Sequence, residues 1–528
     1  MTLFHFGDPR ENPLAYAVQN DSTQESDRIE ISRTVSEKVA DERESLFRKP
    51  LLILIAVTSL FVALLFLVTA LRRLHYPYEL EELEGSMFLS ALRVFHGQSV
   101  YVRPTMNYIP YMYPPGYYYA ASALGKLMGM SMATLRMTSI LSTLGCFVVI
   151  FLLVWTEVRR VVPALAGVGI YAGCYTVCAE WFDMGRLDSF FILLVLLAMY
   201  ATRRRHPVIA AVLWVLAFQT KQSILPAAFL MLASLWPDRR RTFAGLGTLI
   251  VGAAGSVLWL NHITDGWYNF YVFEVPKANA DIQARSAALF WPFDMFRPLA
   301  LALIVIVAAA VFTRPSLSSR ATRFYLSACS LIPLYWWIRT HSGSTSNSVM
   351  PIYALVAVLF GIALGRLLAW LPHPNTQLAR SAVFVLLLGA FSLELAGLYN
   401  PGDFVPGIDK RQALSHVVAE VKTIPGAVYV AQHPYYAWLA GKPTEADLVS
   451  IHDALRVKRP EVHDPLEQDL RSAIEQHRYG ALVLDGQAST ETLDDLLARH
   501  EDWSAAYEIE KRLPGVSVTT LPNWMMSR

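Results

Sequence analysis

Between Leu51 and Leu71 the chain carries an almost unbroken apolar run. Roughly 20 such residues, rising about 1.5 Å each in a helix, match the ~30 Å hydrocarbon core of a bilayer. Further apolar stretches lie near 136–155, 161–181, 189–201, 207–219, 223–236, 243–260, 298–312, 324–338, 349–371 and 381–399. Backbone groups inside lipid must be satisfied within their own segment, so these runs predict a polytopic α-helical protein of about eleven spans. Composition agrees: 54% hydrophobic and 17% charged residues over 528 positions lie outside the range of ordinary soluble proteins.

Orientation follows from the arginines. If the amino terminus is inside, the inner turns hold Arg159-Arg160, Arg203-Arg204-Arg205, Arg239-Arg240-Arg241, then Arg314, Arg320, Arg323 and Arg380. The outer turns carry isolated charges, Arg186, Lys221, Lys277, Arg285 and Arg339, and this is the positive-inside distribution. Residues 1–49 are polar and lack the features of a secretory signal, so they read as a cytoplasmic tail. An odd number of spans then places the carboxyl-terminal region outside. Such a protein sits in the membrane that encloses a cytoplasm, and an inner (plasma) bacterial membrane is the expected location. A formal charge of +2 gives no support to a nucleic-acid partner. Cys146, Cys174, Cys178 and Cys329 fall inside apolar stretches without zinc-site spacing and read as small core residues.

Three regions are expected: the tail 1–49, a transmembrane module 50–409 with its first outer loop at 76–119, and an extracytoplasmic α/β domain at 410–528. In the last, Ala427–Ala431 and Ala481–Leu484 read as strands. Helical patterns lie around Ala413–Val421, Leu466–Gln476 and Thr492–Ala498. His433, His452 and His463 fit no common metal spacing and read as surface or capping residues. The glycine pairs Gly125/Gly129 and Gly361/Gly365 are spaced for close helix packing.

Chemistry gathers in the outer turns. The first loop holds Glu81-Glu82-Leu83-Glu84-Gly85, an amphipathic stretch from Met87 to His96 ending at Gly97, the Tyr101–Pro104 stretch, and Tyr113-Pro114-Pro115-Gly116-Tyr117-Tyr118. Two more segments carry charge close to the membrane: Phe182-Asp183-Met184-Gly185-Arg186-Leu187-Asp188-Ser189 and Gln219-Thr220-Lys221-Gln222. A later turn has His341-Ser342-Gly343 with Asn347 and Pro351. Over most of residues 50–400 this pattern resembles the GT-C superfamily of polyprenyl-phosphate-sugar-dependent glycosyltransferases, and is similar in particular to family 39. The motifs are short, and they point to a superfamily more than to a substrate.

The resemblance implies an inverting glycosyltransferase that moves a hexosyl or pentosyl group from a polyprenyl-phosphate carrier to a glycan, lipid or protein hydroxyl on the outer side. Physical reasoning leads to the same residues. Inverting transfer needs one carboxylate to take the acceptor proton while the lipid phosphate leaves. Glu84 is the first choice, because it would lie at the amino end of a helix starting at Ser86, which favours its ionised form by about 0.3–1 kcal/mol. Glu82 and Glu81 are the reserves. Asp188 could orient the acceptor or share a metal, and Asp183 lies in the same short turn. Arg186 offers forked donors to a phosphate. Lys221 interrupts an apolar run, where a charge is costly and suspicious. Arg103, His341 and Tyr113 complete the candidate binding set. These carboxylates suit a divalent cation, but no coordination set is fixed by the sequence. A carrier of lipid-linked sugars, or a scaffold presenting the outer domain, are the competing classes. The chain has no internal repeat of the transporter kind.

Overall fold

The computed structural model describes residues 49–50, 52–341, 343–370, 399–484, 508–512 and 524–527. The chain divides into two compact units, residues 1–57 and 58–528. Among the described residues, five helices are long and apolar enough to cross a bilayer: Leu52–Leu74, Met132–Val158, Arg239–Ile263, Ala284–Thr313 and Ser346–Trp370. Shorter apolar helices cover Val161–Gly173, Pro207–Phe218 and Gln222–Ala233. The protein is an integral membrane protein. All of the expected span at 381–399 but Tyr399 lies outside the described residues.

In chain order the elements that position the site are α1 (Leu52–Leu74), α2 (Glu84–Phe95), α3 (Gly116–Met128), α4 (Met132–Val158), α5 (Val161–Gly173), α6 (Asp188–Arg203), α7 (Pro207–Phe218), α8 (Leu225–Ala233) and α9 (Arg239–Ile263). Ser131 caps α4, its side chain accepting from the Thr134 N–H, and Asp238 caps α9 from the Arg241 N–H. Both satisfy amide donors that a helix start leaves open. The helix Met350–Trp370 packs on α4 and α5 and is almost wholly buried, so it forms the core of the bundle. Its Gly361 lies so close to the Pro163 carbonyl that a Cβ would stand 2.7 Å from it. Gly365 meets Val158 at the same distance, so this pair does permit close packing. Gly125/Gly129 does not act as such a pair: Gly129 has open space around it and ends α3 with φ +82°.

Helix boundaries differ from the expected ones where polar turns intrude. The run 161–181 is helical only to Gly173, and residues 174–187 form successive turns before α6. The run 324–338 is two helices, Arg320–Ala328 and Leu331–Arg339. Helix α2 begins at Glu84 rather than Ser86, which places Glu84 in the first turn.

The carboxyl-terminal region combines helices Ile408–Thr423, Pro434–Leu439, Leu448–Leu455 and Pro460–Glu475 with strands β1 (Ala427–Val430), β2 (Tyr479–Leu484), β3 (Glu508–Arg512) and β4 (Trp524–Ser527). Strand order is β1-β2-β4-β3. β1 and β2 run parallel with Val428 opposite Ala481, and β4 pairs antiparallel with both β2 and β3. The pattern around 492–498 lies outside the described residues. This region packs on the first loop: the Ala446 N–H donates to the Met106 carbonyl at 2.5 Å, and the Met106 N–H donates to Asp469 at 3.3 Å.

Candidate active site

Three chain segments meet around residues 79–84. The organising contact is Arg136, one turn into α4, with no exposed surface. Its Nε donates to Glu84 Oε1 at 3.1 Å and its Nη2 to Oε2 at 2.7 Å. Nη1 donates to the carbonyls of Tyr76 (2.6 Å) and Arg73 (3.3 Å), and Nη2 to that of Tyr78 (2.6 Å). One guanidinium therefore fixes the chain as it leaves α1. Glu84 accepts two further bonds, from the Leu80 N–H at 2.7 Å and the Gly185 N–H at 2.6 Å, and is fully buried. Burial opposes its charge, yet the Arg136 guanidinium and these amides hold its carboxyl below the usual range.

Gly185 brings the second segment, and Arg186 follows it. The Arg186 Nη1 donates to Glu81 Oε2 at 3.1 Å, and its guanidinium lies 4.7 Å from the centre of the Trp181 ring. Glu81 differs from Glu84 in two ways: its side chain keeps 16% of its surface exposed, and its carboxyl is pushed up to about 7. Burial causes the rise, with Glu82 and Glu84 adding to it against the pull of Arg186.

The third segment supplies Lys221, whose Nζ donates to Asp188 Oδ1 at 3.0 Å. The Asn347 amide donates to the same oxygen at 3.2 Å. Asp188 begins α6, and its field also reaches Arg186. Asp188 Oδ2 and Arg186 Nε are buried without a hydrogen-bond partner, and buried polar atoms of this kind call for one. Lys221 is held in place through the loop motif. The Gly116 N–H donates to the Gln219 carbonyl at 2.7 Å, and a Cβ on Gly116 would stand 2.5 Å from Thr220 Oγ1. The glycine after Pro114-Pro115 is thus required by the approach of the Gln219–Lys221 turn.

The remaining expected residues spread outward. Asp183 pairs with Arg73 at 3.3 Å and accepts from the Tyr175 hydroxyl at 3.0 Å, behind Glu84; burial raises its carboxyl against the pull of Arg73. Tyr113 stands within electrostatic reach of Arg186, and its carbonyl accepts from the Tyr101 hydroxyl at 2.7 Å. Glu82 lies between Glu81 and Asp447 in electrostatic terms, acting on both. Arg103 is turned to the carboxyl-terminal region, donating to the Glu461 carbonyl at 3.0 Å. His341 sits against Trp337, and no contact brings it to Glu81 or Lys221.

Sequence reasoning misses three participants. Arg136 is legible as an arginine inside an apolar run, but in sequence it reads only as the start of a span. His433, expected as a surface or capping residue, is fully buried against Glu79. Asp447, from the same region, accepts from the Ser86 hydroxyl at 3.4 Å and from the Val449 N–H at 2.8 Å. Its carboxyl is pushed up to about 8, by burial first and the charge of Glu82 as well. Nothing local in the sequence announces either contact, since both depend on how a distant region packs. Among the described residues, no three His, Cys, Asp or Glu side chains gather into a metal-holding group.

This fold and site define a polytopic α-helical membrane protein whose charged side chains gather where its outer turns meet. Residues 111–336 match the model of Glycosyltransferase family 87. The structure is similar to that of ArnT from Cupriavidus metallidurans bound to undecaprenyl phosphate, with TM-score 0.57 and 13% identity over 88% of this chain and 97% of that one. The apo state of the same protein gives TM-score 0.59 and 13% identity over 89% and 97%. The archaeal oligosaccharyltransferase AglB from Archaeoglobus fulgidus matches with TM-score 0.48 and 13% identity over 88% and 72%. No curated protein matches the sequence. The likeness to ArnT establishes a shared fold.

Proposed function

We propose that this chain transfers a sugar from a polyprenyl-phosphate carrier to an acceptor hydroxyl, with inversion, at the membrane face that holds Glu81. The observation that carries the reading is the meeting of two ion pairs, Glu81–Arg186 and Asp188–Lys221, from segments far apart in the chain. The matched family is one of glycosyltransferases, and ArnT, with the same fold, is seen with a polyprenyl phosphate.

Within this reading the base is Glu81, and Glu84 is its support. A base must reach the acceptor and be able to gain a proton. Glu84 is sealed from solvent, accepts from four donors and is held in its charged form. Glu81 is partly open, and its carboxyl titrates near neutrality, where proton transfer is most effective. Glu81 takes the hydroxyl proton, the acceptor oxygen bonds to the anomeric carbon, and the bond from that carbon to the phosphate oxygen breaks with its electrons leaving on the phosphate. Lys221 and Arg186 are the cations that meet that growing charge. Asp188 keeps Lys221 aimed through their 3.0 Å contact.

The test is purified protein in detergent with a labelled polyprenyl-phosphate sugar, wild type against Glu81→Gln. Wild type is expected to release lipid phosphate, and Glu81→Gln to release it at least ~100-fold more slowly while still binding the donor. A wild type that binds the donor and never cleaves it would sink the proposal in favour of a carrier.

A further inference from the structure

At the end of α6 away from Asp188 the structure has a second polar feature. Helix α6 has 16 residues, so the two sites stand about 24 Å apart along it. Here a cavity of about 270 Å³ opens where three interhelical turns meet, lined by Thr202, Arg203, Arg205, Asp238, Arg320 and Phe324 among others. Arg203 is clamped by both oxygens of Glu157, at 2.5 and 3.0 Å, and Arg205 pairs with Asp238 at 2.5 Å. These pairs fix the walls and leave further guanidinium N–H groups to donate. The Arg320 side chain makes no ion pair or hydrogen bond with any described residue. The lining thus holds three arginines against one aspartate.

Between the lining residues Leu235 and Pro237 the chain turns an aromatic ring outward. Trp236 is 47% and Phe243 65% exposed, in edge contact with each other, and the Arg239 guanidinium lies 5.2 Å from the Trp236 ring centre. An amphipathic aromatic beside a cationic hollow suits the level of lipid headgroups. A site for a free anion would gain nothing from that apolar edge.

We propose that this cavity binds a phosphate group, namely that of an anionic phospholipid headgroup in the leaflet opposite Glu81. Forked guanidinium donors match phosphate oxygens, and juxtamembrane basic clusters attract anionic lipid. The cavity shares no residue with the site at Glu81, so the two proposals stand or fall separately.

The experiment is thermal unfolding of the full-length protein in detergent, with short-chain phosphatidylglycerol, short-chain phosphatidylcholine, or inorganic phosphate at matched ionic strength. Phosphatidylglycerol is expected to raise the unfolding temperature and the other two to leave it unchanged. In Arg320→Gln the concentration needed should rise about tenfold, from the loss of one charged hydrogen-bonding group. Should that variant fail to fold, Arg320→Lys keeps the charge, loses the fork and should show a smaller rise. An equal shift with phosphatidylcholine, the same shift with inorganic phosphate alone, or an unchanged response in every variant that folds would overturn the assignment.

Discussion

Glu84 and Arg136 form a two-toothed ion pair in which neither side chain has any exposed surface. The pair closes a circuit that joins the end of α1, the start of α2 and the turn before α6. Its removal on one side leaves a buried charge without its counterion. Arg136→Met is therefore expected to lower stability by about 3–5 kcal/mol, and Arg136→Met with Glu84→Leu to recover part of that loss. Thermal unfolding in detergent checks both, and a single mutant as stable as wild type would contradict the structural role.

The pH dependence separates Glu81 from Glu84. A base at Glu81 works only when ionised, so transfer should rise from pH 6 to 8 with its midpoint near the value of about 7. Stability moves the other way: between about 4.5 and 7 the folded chain holds a proton here that the unfolded chain has released, so this group's contribution falls as pH rises through that window. If Glu84 were the base, its lowered carboxyl would give a flat profile over the same range.

On the proposed role of Lys221 as a phosphate partner, Lys221→Met should weaken transfer. Removing one charge-assisted hydrogen bond corresponds to a drop of roughly 10- to 100-fold in kcat/KM. Asp188→Asn should weaken it less, because it leaves the cation in place. Equal effects on both would mean that the pair acts as a strut and not on substrate.

Gly116→Ala should cost about 1–3 kcal/mol by overpacking against Thr220 and the Gln219 carbonyl. Because that turn carries Lys221, the loss should show in donor KM as well as in unfolding temperature. Gly129→Ala meets open space, though with strain at its positive φ, and should spare the donor KM.

The membrane class is legible because lipid imposes long apolar runs, and Leu52–Leu74 and Met132–Val158 lie close to where those runs fall. The acidic loop and the Asp183–Asp188 and Lys221 segments are legible because charge beside such runs is costly. The choice among the three glutamates is not. Glu81 and Glu84 look alike in sequence, and only the position of Arg136 against one and Arg186 against the other separates them. His433 escapes the sequence for the same reason: spacing along the chain carries no information about Glu79, 354 residues away.

Gly85 sits so close to Glu79 and to the Cβ of Tyr435 that even a methyl group there would overlap them. Helix α2 and the carboxyl-terminal region are therefore braced against each other with no slack. Any sliding of one past the other at this seam would first have to displace Glu79 and Tyr435.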